Sequence, residues 1–286
     1  MAGTQIVLND RMMEYLKFTT KSSLGQNFLF DQPTLKDIVS AANITSNDNI
    51  LEVGPGLGTL TGHLLEEANS VTAVEFDDYL ASNLINNLSK IYPNISQSIL
   101  AKLKVENCDF LNFDLANLEK DYKVVANIPY NITSKIIQKL LTASNAPSLS
   151  VLLVQKEVAE RLAAQPGKLS LLAISAQVFA EVKLGAKVPA HLFMPAPKVD
   201  SQVVILKKHP KPLVAKNEQD KFFQIVRAGF SEKRKKLHSS LATGLMTNKT
   251  KAKTLLVSAN IDPNKRAQEL TIDDWIRLTA TVSLPL

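Results

Sequence analysis

The stretch LEVGPGLGTLTGHLLEE, residues 51–67, passes from an apolar strand-like run through a glycine-rich turn into a helix-like run. Gly54, Gly56 and Gly58 stand at alternate positions in that turn. Glycine lets a backbone approach a ligand closely, and the N-terminus of a helix offers free N–H groups to it. The stretch therefore predicts a ligand-binding turn at the end of a buried strand.

Strand-like and helix-like runs alternate on both sides of this turn, from residue 50 to about residue 206. Strands are predicted at 49–53, 70–75, 103–108, 123–127, 150–155 and 201–207, and helices between them at, for example, 60–68, 79–88, 134–141 and 156–164. Such alternation favours an α/β fold with a parallel sheet and helices on both faces. Ligands of such sheets bind at the carboxyl ends of the strands.

A polar segment with two prolines, residues 207–218, separates this part from a C-terminal part in which apolar residues have helical spacing. We therefore predict an α/β domain at residues 31–207 and a small α-helical domain at residues 208–286. Residues 1–30 form a separate N-terminal segment in this prediction.

The composition is that of a globular protein: 45% of the 286 residues are hydrophobic and 21% are charged. No apolar run has the length of a membrane span, and the first twenty residues lack the pattern of a secretory signal. Cys108 is the one cysteine, which excludes an intramolecular disulfide and a cysteine metal site. We expect a cytoplasmic protein with no membrane partner and no metal.

The net charge of +6 is concentrated near the C-terminus. Residues 207–240 contain ten Lys or Arg residues and three acids, a local charge of +7. Such a segment is either a solvated helix face or a surface for a polyanion such as RNA, and charge alone does not separate the two.

Two acids stand at the ends of later strands. Glu75 follows Gly54 by 21 residues, the position of a carboxylate that binds both ribose hydroxyls of a nucleoside cofactor. Asp109 follows the next strand, where it could accept a hydrogen bond from the amino group of the cofactor adenine. A dinucleotide fingerprint would need its third glycine at Thr59, and Pro55 lies inside the turn, so the pattern disfavours NAD. It resembles the first motif of S-adenosylmethionine-dependent methyltransferases.

The strand at 123–127 ends in Asn127-Ile128-Pro129-Tyr130. The exocyclic amine of adenine is a poor nucleophile, and two acceptors that hold its N–H bonds turn its lone pair toward a methyl donor. The Asn127 side chain and the Ile128 carbonyl can be those acceptors, with Pro129 keeping Ile128 extended. Tyr130 offers a stacking face for the base. A plain strand-to-turn transition would explain the proline but not the amide and the ring together.

These pieces together resemble the KsgA-type family of ribosomal RNA adenine N6-dimethyltransferases, from residue 21 to about residue 280. The segment SLGQNFLFD (23–31) is similar to the family's N-terminal segment, which closes over the cofactor. The resemblance implies a Rossmann-like methyltransferase domain that binds S-adenosylmethionine. It assigns the cofactor contacts to Gln26, Asn27, Leu29, Gly54, Gly56, Glu75, Asp109 and Asn127.

The resemblance also implies the substrate, two adjacent adenines near the 3′ end of small-subunit (16S) rRNA, each dimethylated within a precursor of a 30S-type subunit. The catalytic residues would be those of 127–130 together with Phe193, whose loop LFMPAPKVDS (192–201) resembles one that presents a ring to the target adenine. From the sequence alone, the favoured interpretation of Phe193 is a core residue beside a proline turn. The helical domain would face RNA through Lys233, Arg234, Lys235 and Lys236, and we expect a monomer.

Several alternatives stay open. Ile128 is common in the large-subunit adenine methyltransferases that confer macrolide resistance, and Lys135 stands where the small-subunit family commonly has proline. DNA adenine methyltransferases usually carry a second proline where Ile128 stands. The protein could also act mainly as a non-catalytic factor in subunit assembly. An NAD oxidoreductase is the remaining possibility.

Overall fold

The computed structural model describes residues 26–232 and 234–282 and divides the chain into two compact units. Within the described residues, the first unit comprises residues 26–159 and 181–208, and the second comprises residues 160–180, 209–232 and 234–282. Among the described residues, no helix has both the length and the apolar character needed to cross a membrane.

The first unit is built on a seven-stranded sheet with the order β4-β3-β2-β5-β6-β9-β7. Its strands are β2 (Asn49–Val53), β3 (Ser70–Glu75), β4 (Leu103–Asn107), β5 (Lys123–Asn127), β6 (Leu149–Gln155), β7 (Ala180–Val188) and β9 (Ser201–Lys208). Strands β2 to β6 run parallel to their neighbours, whereas β9 is antiparallel to β6. Two further short strands, β1 (Phe28–Leu29) and β8 (Phe193–Met194), pair antiparallel in a separate sheet.

The register of the parallel strands brings their carboxyl ends to one rim. Glu75 pairs with Asn107 across β3 and β4, and Asn127 is the last residue of β5. The chain leaves β2 at Gly54, whose N–H donates to the carbonyl of Val74 at 2.9 Å. The strand ends that carry the predicted site residues are therefore neighbours in space.

Six helices accompany the sheet along the chain. They are α1 (Gln32–Ala41), α2 (Thr59–Glu67), α3 (Asp78–Ile91), α4 (Gln97–Leu100), α5 (Thr133–Thr142) and α6 (Lys156–Leu162). Asp31 caps α1 and Asp77 caps α3, each accepting backbone N–H bonds of the first turn. Leu64 and Leu65 of α2 are fully buried in a core that also contains Val71.

The predicted strands are confirmed to within one residue at each end, but the sheet differs from the prediction in two respects. It is mixed, because β9 is antiparallel, and it contains the unpredicted strand β7, whose residues are mostly exposed and lack an apolar run. Helices also do not cover both faces throughout. Between β4 and β5 the chain forms only a short 3₁₀ turn, Leu115–Asn117, and a groove of about 450 Å³ lies against alternate residues of the strands, including Thr72, Lys104 and Glu106.

The second unit is helical within its described residues. Its helices are α7 (Leu171–Gln177), α8 (Gln219–Gly229), α9 (Leu237–Gly244), α10 (Lys249–Ser258) and α11 (Ile272–Thr281). Trp275 is fully buried and stacks on Phe230, with ring centroids 5.7 Å apart. Residues 160–180 belong to this unit, whereas the sequence placed them in the α/β domain. One reason is that the ring of Phe179 stacks on that of Phe223, with ring centroids 6.2 Å apart. This contact joins residues far apart in the sequence, so no local pattern predicts it.

The close approach of Gly62 in α2 to the ring of Tyr92 gives a test of the packing. A Cβ atom on Gly62 would lie 2.1 Å from Cε2 of Tyr92, whose hydroxyl donates to the Thr59 carbonyl at 2.5 Å. Helix propensity alone would make Gly62→Ala stabilising by ~1 kcal/mol. Overpacking against a ring that is held in place costs ~1–3 kcal/mol, so after subtracting the helix-propensity gain we expect the free energy of unfolding in urea to fall by up to ~2 kcal/mol.

The matched control is Gly62→Ala in a Tyr92→Leu background, where the ring is absent. There the substitution should be neutral or stabilising. An equal loss of stability in both backgrounds would show that Tyr92 is not the cause.

Candidate functional site

A cavity of about 240 Å³ opens at the carboxyl ends of the strands. Its walls come from the described N-terminal residues and from the ends of β2, β3, β4 and β5. The structure thus brings together eleven of the twelve cofactor and catalytic residues predicted from the sequence, counting Asn127 once; the exception is Phe193. Those lining the cavity are Gln26, Asn27, Leu29, Gly54, Gly56, Glu75, Asp109, Asn127, Ile128, Pro129 and Tyr130.

The glycine turn after β2 forms one wall, and its shape depends on glycine. Gly54 and Gly56 have φ values of +70° and +59°, in the left-handed region that other residues rarely adopt. A Cβ atom on Gly56 would also lie 2.8 Å from Cε1 of Phe28. A side chain at either glycine would therefore move the turn away from the positions that border the cavity.

The Glu75 carboxylate is fixed in orientation at the end of β3. Oε2 accepts the N–H of Gly56 and Oε1 accepts the N–H of Asp77, both at 3.0 Å. Burial raises the pKa of Glu75, and these backbone donors act in the opposite direction. Each oxygen keeps lone pairs for further donors, which suits a pair of hydroxyls in the cavity.

Asp109 organises a tight turn at the end of β4. Its Oδ1 accepts the N–H of Leu111 at 2.9 Å, and its carbonyl accepts the N–H groups of Asn112 and Phe113. The carboxylate is thereby held at the cavity wall with acceptor capacity to spare.

Asn127 has its amide orientation assigned by one hydrogen bond. Its Nδ2 donates to the carbonyl of Asn27 at 2.9 Å. Because the amino group is used in this way, the side-chain oxygen lies on the opposite side of the amide and remains an acceptor. The turn after it is closed by Thr133, whose hydroxyl donates to the Pro129 carbonyl at 3.0 Å.

Tyr130 is anchored by a residue that the sequence analysis did not single out. Its hydroxyl and that of the fully buried Ser201 share a hydrogen bond of 2.5 Å. Burial raises the pKa of Tyr130, so the phenol stays neutral and keeps its proton for this bond. Asp200, next to Ser201, accepts the N–H of Ala190 at 3.0 Å. The stretch PKVDS contains both Asp200 and Ser201, but its pattern alone assigns no role to the serine.

Phe193 is the residue of the predicted catalytic set that the structure does not place at the cavity. It is 5% exposed, packs in the hydrophobic core, and does not line the cavity. Its backbone pairs with Leu29 in the short β1–β8 sheet, so it supports the N-terminal residues that do line the cavity. Its apolar ring is better satisfied in the core than at a polar rim, and this agrees with the alternative that the sequence left open.

The ionisable residues of the cavity are all acidic. Among the described residues that line it, Glu52, Glu75, Asp77 and Asp109 carry carboxyl groups, and none is Lys, Arg or His. Such a wall attracts a positively charged ligand and repels the diphosphate of a dinucleotide. The residues therefore fit S-adenosylmethionine, which combines a nucleoside with cationic groups, and do not fit NAD.

Two buried polar atoms at the cavity wall support the same conclusion. Glu52 Oε2 and Gln26 Oε1 make no hydrogen bond to any of the described residues. Burial, together with the nearby Glu75 charge, raises the pKa of Glu52 to about 8. Unpartnered buried polar atoms are costly, and a ligand that supplies hydrogen-bond partners for them would relieve that cost.

The predicted basic cluster lies in the second unit. Arg234, Lys235 and Lys236 are exposed, and Lys233 lies outside the described residues. The N–H of Leu237 donates to the carbonyl of Lys265 at 2.8 Å. This bond places a second exposed basic pair, Lys265 and Arg266, beside the cluster. The sequence analysis missed that pair because it counted charge only over one continuous segment.

Comparison with known proteins gives a consistent result. The family model described as "Ribosomal RNA adenine dimethylase" matches residues 17–283. A protein of Dehalococcoides mccartyi named "Ribosomal RNA small subunit methyltransferase A" is 38% identical over 264 residues, covering 92% of this chain and 89% of its own. The protein of the same name from Lysinibacillus sphaericus is 39% identical and covers 94% of each chain.

Solved structures show the same fold. A dimethyladenosine transferase from Plasmodium falciparum superposes with a TM-score of 0.73 at 28% identity, covering 88% of this chain and 95% of its own. The 23S rRNA methyltransferase ErmE superposes with a TM-score of 0.70 at 27% identity, covering 89% and 99%.

Glu52 gives a pH-dependent prediction for the protein without ligand. Its pKa is about 8 in the folded state against 4.5 ordinarily, so between these values the unfolded chain loses a proton that the folded state retains. The penalty is absent below about pH 4.5 and grows with pH until about pH 8. Compared with Glu52→Gln, the wild type should lose up to ~1.4 kcal/mol of stability for each pH unit in that window.

Thermal melts of both proteins across this range test the prediction. Glu67→Gln removes an exposed carboxyl at the end of α2, the helix that follows β2 and the glycine turn, and serves as the control, with melts parallel to the wild type. Parallel curves for Glu52→Gln as well would mean that the buried carboxyl does not keep its proton.

Proposed function

The chain belongs to the ribosomal RNA adenine dimethylase family, and from this membership we propose that it dimethylates two adjacent adenines near the 3′ end of small-subunit (16S) rRNA, using S-adenosylmethionine. The observation that carries the proposal is the cavity itself. It joins an acid-walled nucleoside site to the amide and aromatic ring of residues 127–130 at one rim.

The proposed cofactor contacts follow from the chemistry of each group. Glu75 binds the ribose hydroxyls, since its carboxylate is held by two backbone donors and faces the cavity. Asp109 accepts a hydrogen bond from the amino group of the cofactor adenine. Gly54 and Gly56 let the backbone border the ligand, and Gln26, Asn27 and Leu29 line the same cavity.

The proposed target site is the turn after β5. When bound, S-adenosylmethionine supplies an electrophilic methyl group on a sulfonium sulfur. The Asn127 oxygen and the Ile128 carbonyl accept the two N–H bonds of the adenine amine and so direct its lone pair toward the methyl group. Tyr130 stacks on the base. Positioning and electrostatics supply the catalysis, and the amine becomes acidic enough on attack to lose its proton without a strong base.

The relatives favour the small subunit over the large one. Curated relatives at 38–39% identity are named small-subunit methyltransferases, whereas the 23S enzyme ErmE is 27% identical. The exposed basic residues of the second unit, Arg234, Lys235, Lys236, Lys265 and Arg266, supply an electrostatic surface for rRNA. We propose that the protein acts in the cytoplasm as a monomer on a precursor of the 30S-type subunit.

The test is transfer of labelled methyl groups from S-adenosylmethionine to three substrates in parallel: unmethylated small subunits, naked large-subunit rRNA and adenine-containing duplex DNA. We expect label only in small subunits, as dimethyladenine at two neighbouring positions. Label in large-subunit RNA would assign the protein to the resistance enzymes. Absence of label with retained cofactor binding would favour a non-catalytic assembly factor.

Replacing Asn127 with alanine removes one of the two proposed acceptors and the hydrogen bond to the Asn27 carbonyl. We expect kcat for methyl transfer to fall by about 10²–10³-fold, as for other preorganised polar groups in active sites. Asn94→Ala, at an exposed position, is the matched control and should keep full activity. A loss of less than about tenfold for Asn127→Ala would contradict its role.

The bond between Tyr130 and Ser201 gives a test by double-mutant cycle. Tyr130→Phe and Ser201→Ala each remove the same hydrogen bond, so each should lower kcat/KM for rRNA by about tenfold, and the double variant should lose no more than either single one. Ser150→Ala, another buried serine at the opposite end of the sheet, is the control. Additive losses would show that the two hydroxyls act independently.

A further inference from the structure

The segment between β4 and β5, residues 108–122, must satisfy its backbone groups without the help of a long helix or strand. Its N–H groups near the cavity are bound by Asp109, as described above. Its carbonyls need donors from elsewhere, because buried backbone groups rarely stay unpaired. Two of these carbonyls, at Leu115 and Leu118, are bound by the side-chain amide of Asn145.

The carbonyls nearest to Asp109 are bound by a single side chain. Lys139 Nζ donates to the carbonyl of Leu111 at 2.8 Å and to that of Phe113 at 2.5 Å. The same ammonium group lies 5.4 Å from the centroid of the Phe110 ring, which is buried. Three contacts of one cation, at residues 110, 111 and 113, therefore hold the turn that Asp109 begins.

Lys139 is in α5, the helix that follows the target-site turn at residues 127–130. The sequence analysis gave it no role, and it does not line the cavity. We propose that Lys139 is a positioning residue that holds the Asp109 carboxylate against the cofactor adenine and thereby sets the selectivity for an adenine base. This inference rests on the proposed function, in which Asp109 accepts a hydrogen bond from the adenine amino group.

Selectivity follows from the direction of the hydrogen bond. A carboxylate only accepts, so it binds the amino group of adenine and repels the oxygen that replaces it in hypoxanthine. The discrimination requires the carboxylate to stay at its place, and a shift of the turn would weaken it. A general loss of stability would instead weaken the binding of both bases to the same extent.

The experiment measures, by calorimetry, the Kd of S-adenosylhomocysteine and of its deaminated analogue, S-inosylhomocysteine. Neither ligand can donate a methyl group, so the readout is independent of catalysis. The wild type should prefer the adenine form by about tenfold to a hundredfold, the range for a hydrogen bond to a charged group. Asp109→Asn, whose amide can donate to the hypoxanthine oxygen, should lose or reverse the preference.

Lys139→Met keeps the length of the side chain but removes the charge and the donors. We expect its preference for the adenine form to fall to within about threefold of unity. Lys139→Arg, which retains a cationic donor, should restore most of the preference. Lys90→Met, at an exposed lysine of α3, is the matched control and should behave as the wild type. Lys139→Gln retains one weaker donor and provides the same readout if the methionine variant does not fold.

The outcomes separate this inference from the proposed function. A Lys139→Met protein that binds both ligands more weakly, but with the wild-type ratio, would overturn the positioning role alone. A wild type that binds both ligands equally would overturn the assignment of Asp109, and the inference with it. A wild type that binds neither S-adenosylhomocysteine nor S-adenosylmethionine would overturn the proposed function as a whole.

Discussion

The two hydrogen bonds of the Glu75 carboxylate are the constraint on which the site depends. They connect the end of β3 to the glycine turn after β2 and to the start of α3. The carboxylate adds a side-chain anchor to a turn that is also held by the backbone bonds of Gly54 to Val74 and of Gly58 to Pro55. The same carboxylate is the proposed ligand of the ribose hydroxyls, so one group both orients the turn and binds the cofactor. Burial makes its ionised form costly, and the backbone donors offset part of that cost.

Much of the first unit could be predicted because its strands and its glycine turn are specified by short continuous stretches of sequence. The strands ending at Val53, Glu75 and Asn127 have continuous buried runs, and parallel strands place their ends at one rim whatever the details of the loops. Glu75, Asp109 and Asn127 were predicted for the same reason, since each stands at or just after the end of a strand, whereas Gln26, Asn27 and Leu29 were predicted from the family resemblance alone. The glycine turn needed only its own sequence, because no other residue adopts those φ values readily.

The remaining features depend on contacts between distant residues. Ser201 and Lys139 look like ordinary polar residues of a strand and a helix, and only the folded chain shows that one binds Tyr130 and the other the turn after β4. Phe193 shows the reverse case, since an aromatic residue beside prolines is compatible with a binding loop and with a core. The antiparallel strand β9 is mostly buried and apolar, as the parallel strand β6 is, so its direction could not be predicted from its residues.

The edge position of β4, beside the groove that lies against β2, β3 and β4, means that the two halves of the site are not equally supported. β5 is buried along its middle and is flanked by strands on both sides, whereas β4 is an edge strand with no fully buried residue. The free energy of local opening should therefore be smallest at β4 and larger at β5. Asp109 is thus carried by a strand that opens readily, and Asn127 by one that opens only with the whole unit. Local opening at the end of β4 should therefore expose the nucleoside side of the cavity without unfolding the unit, whereas the methyl-accepting side should open only on global unfolding.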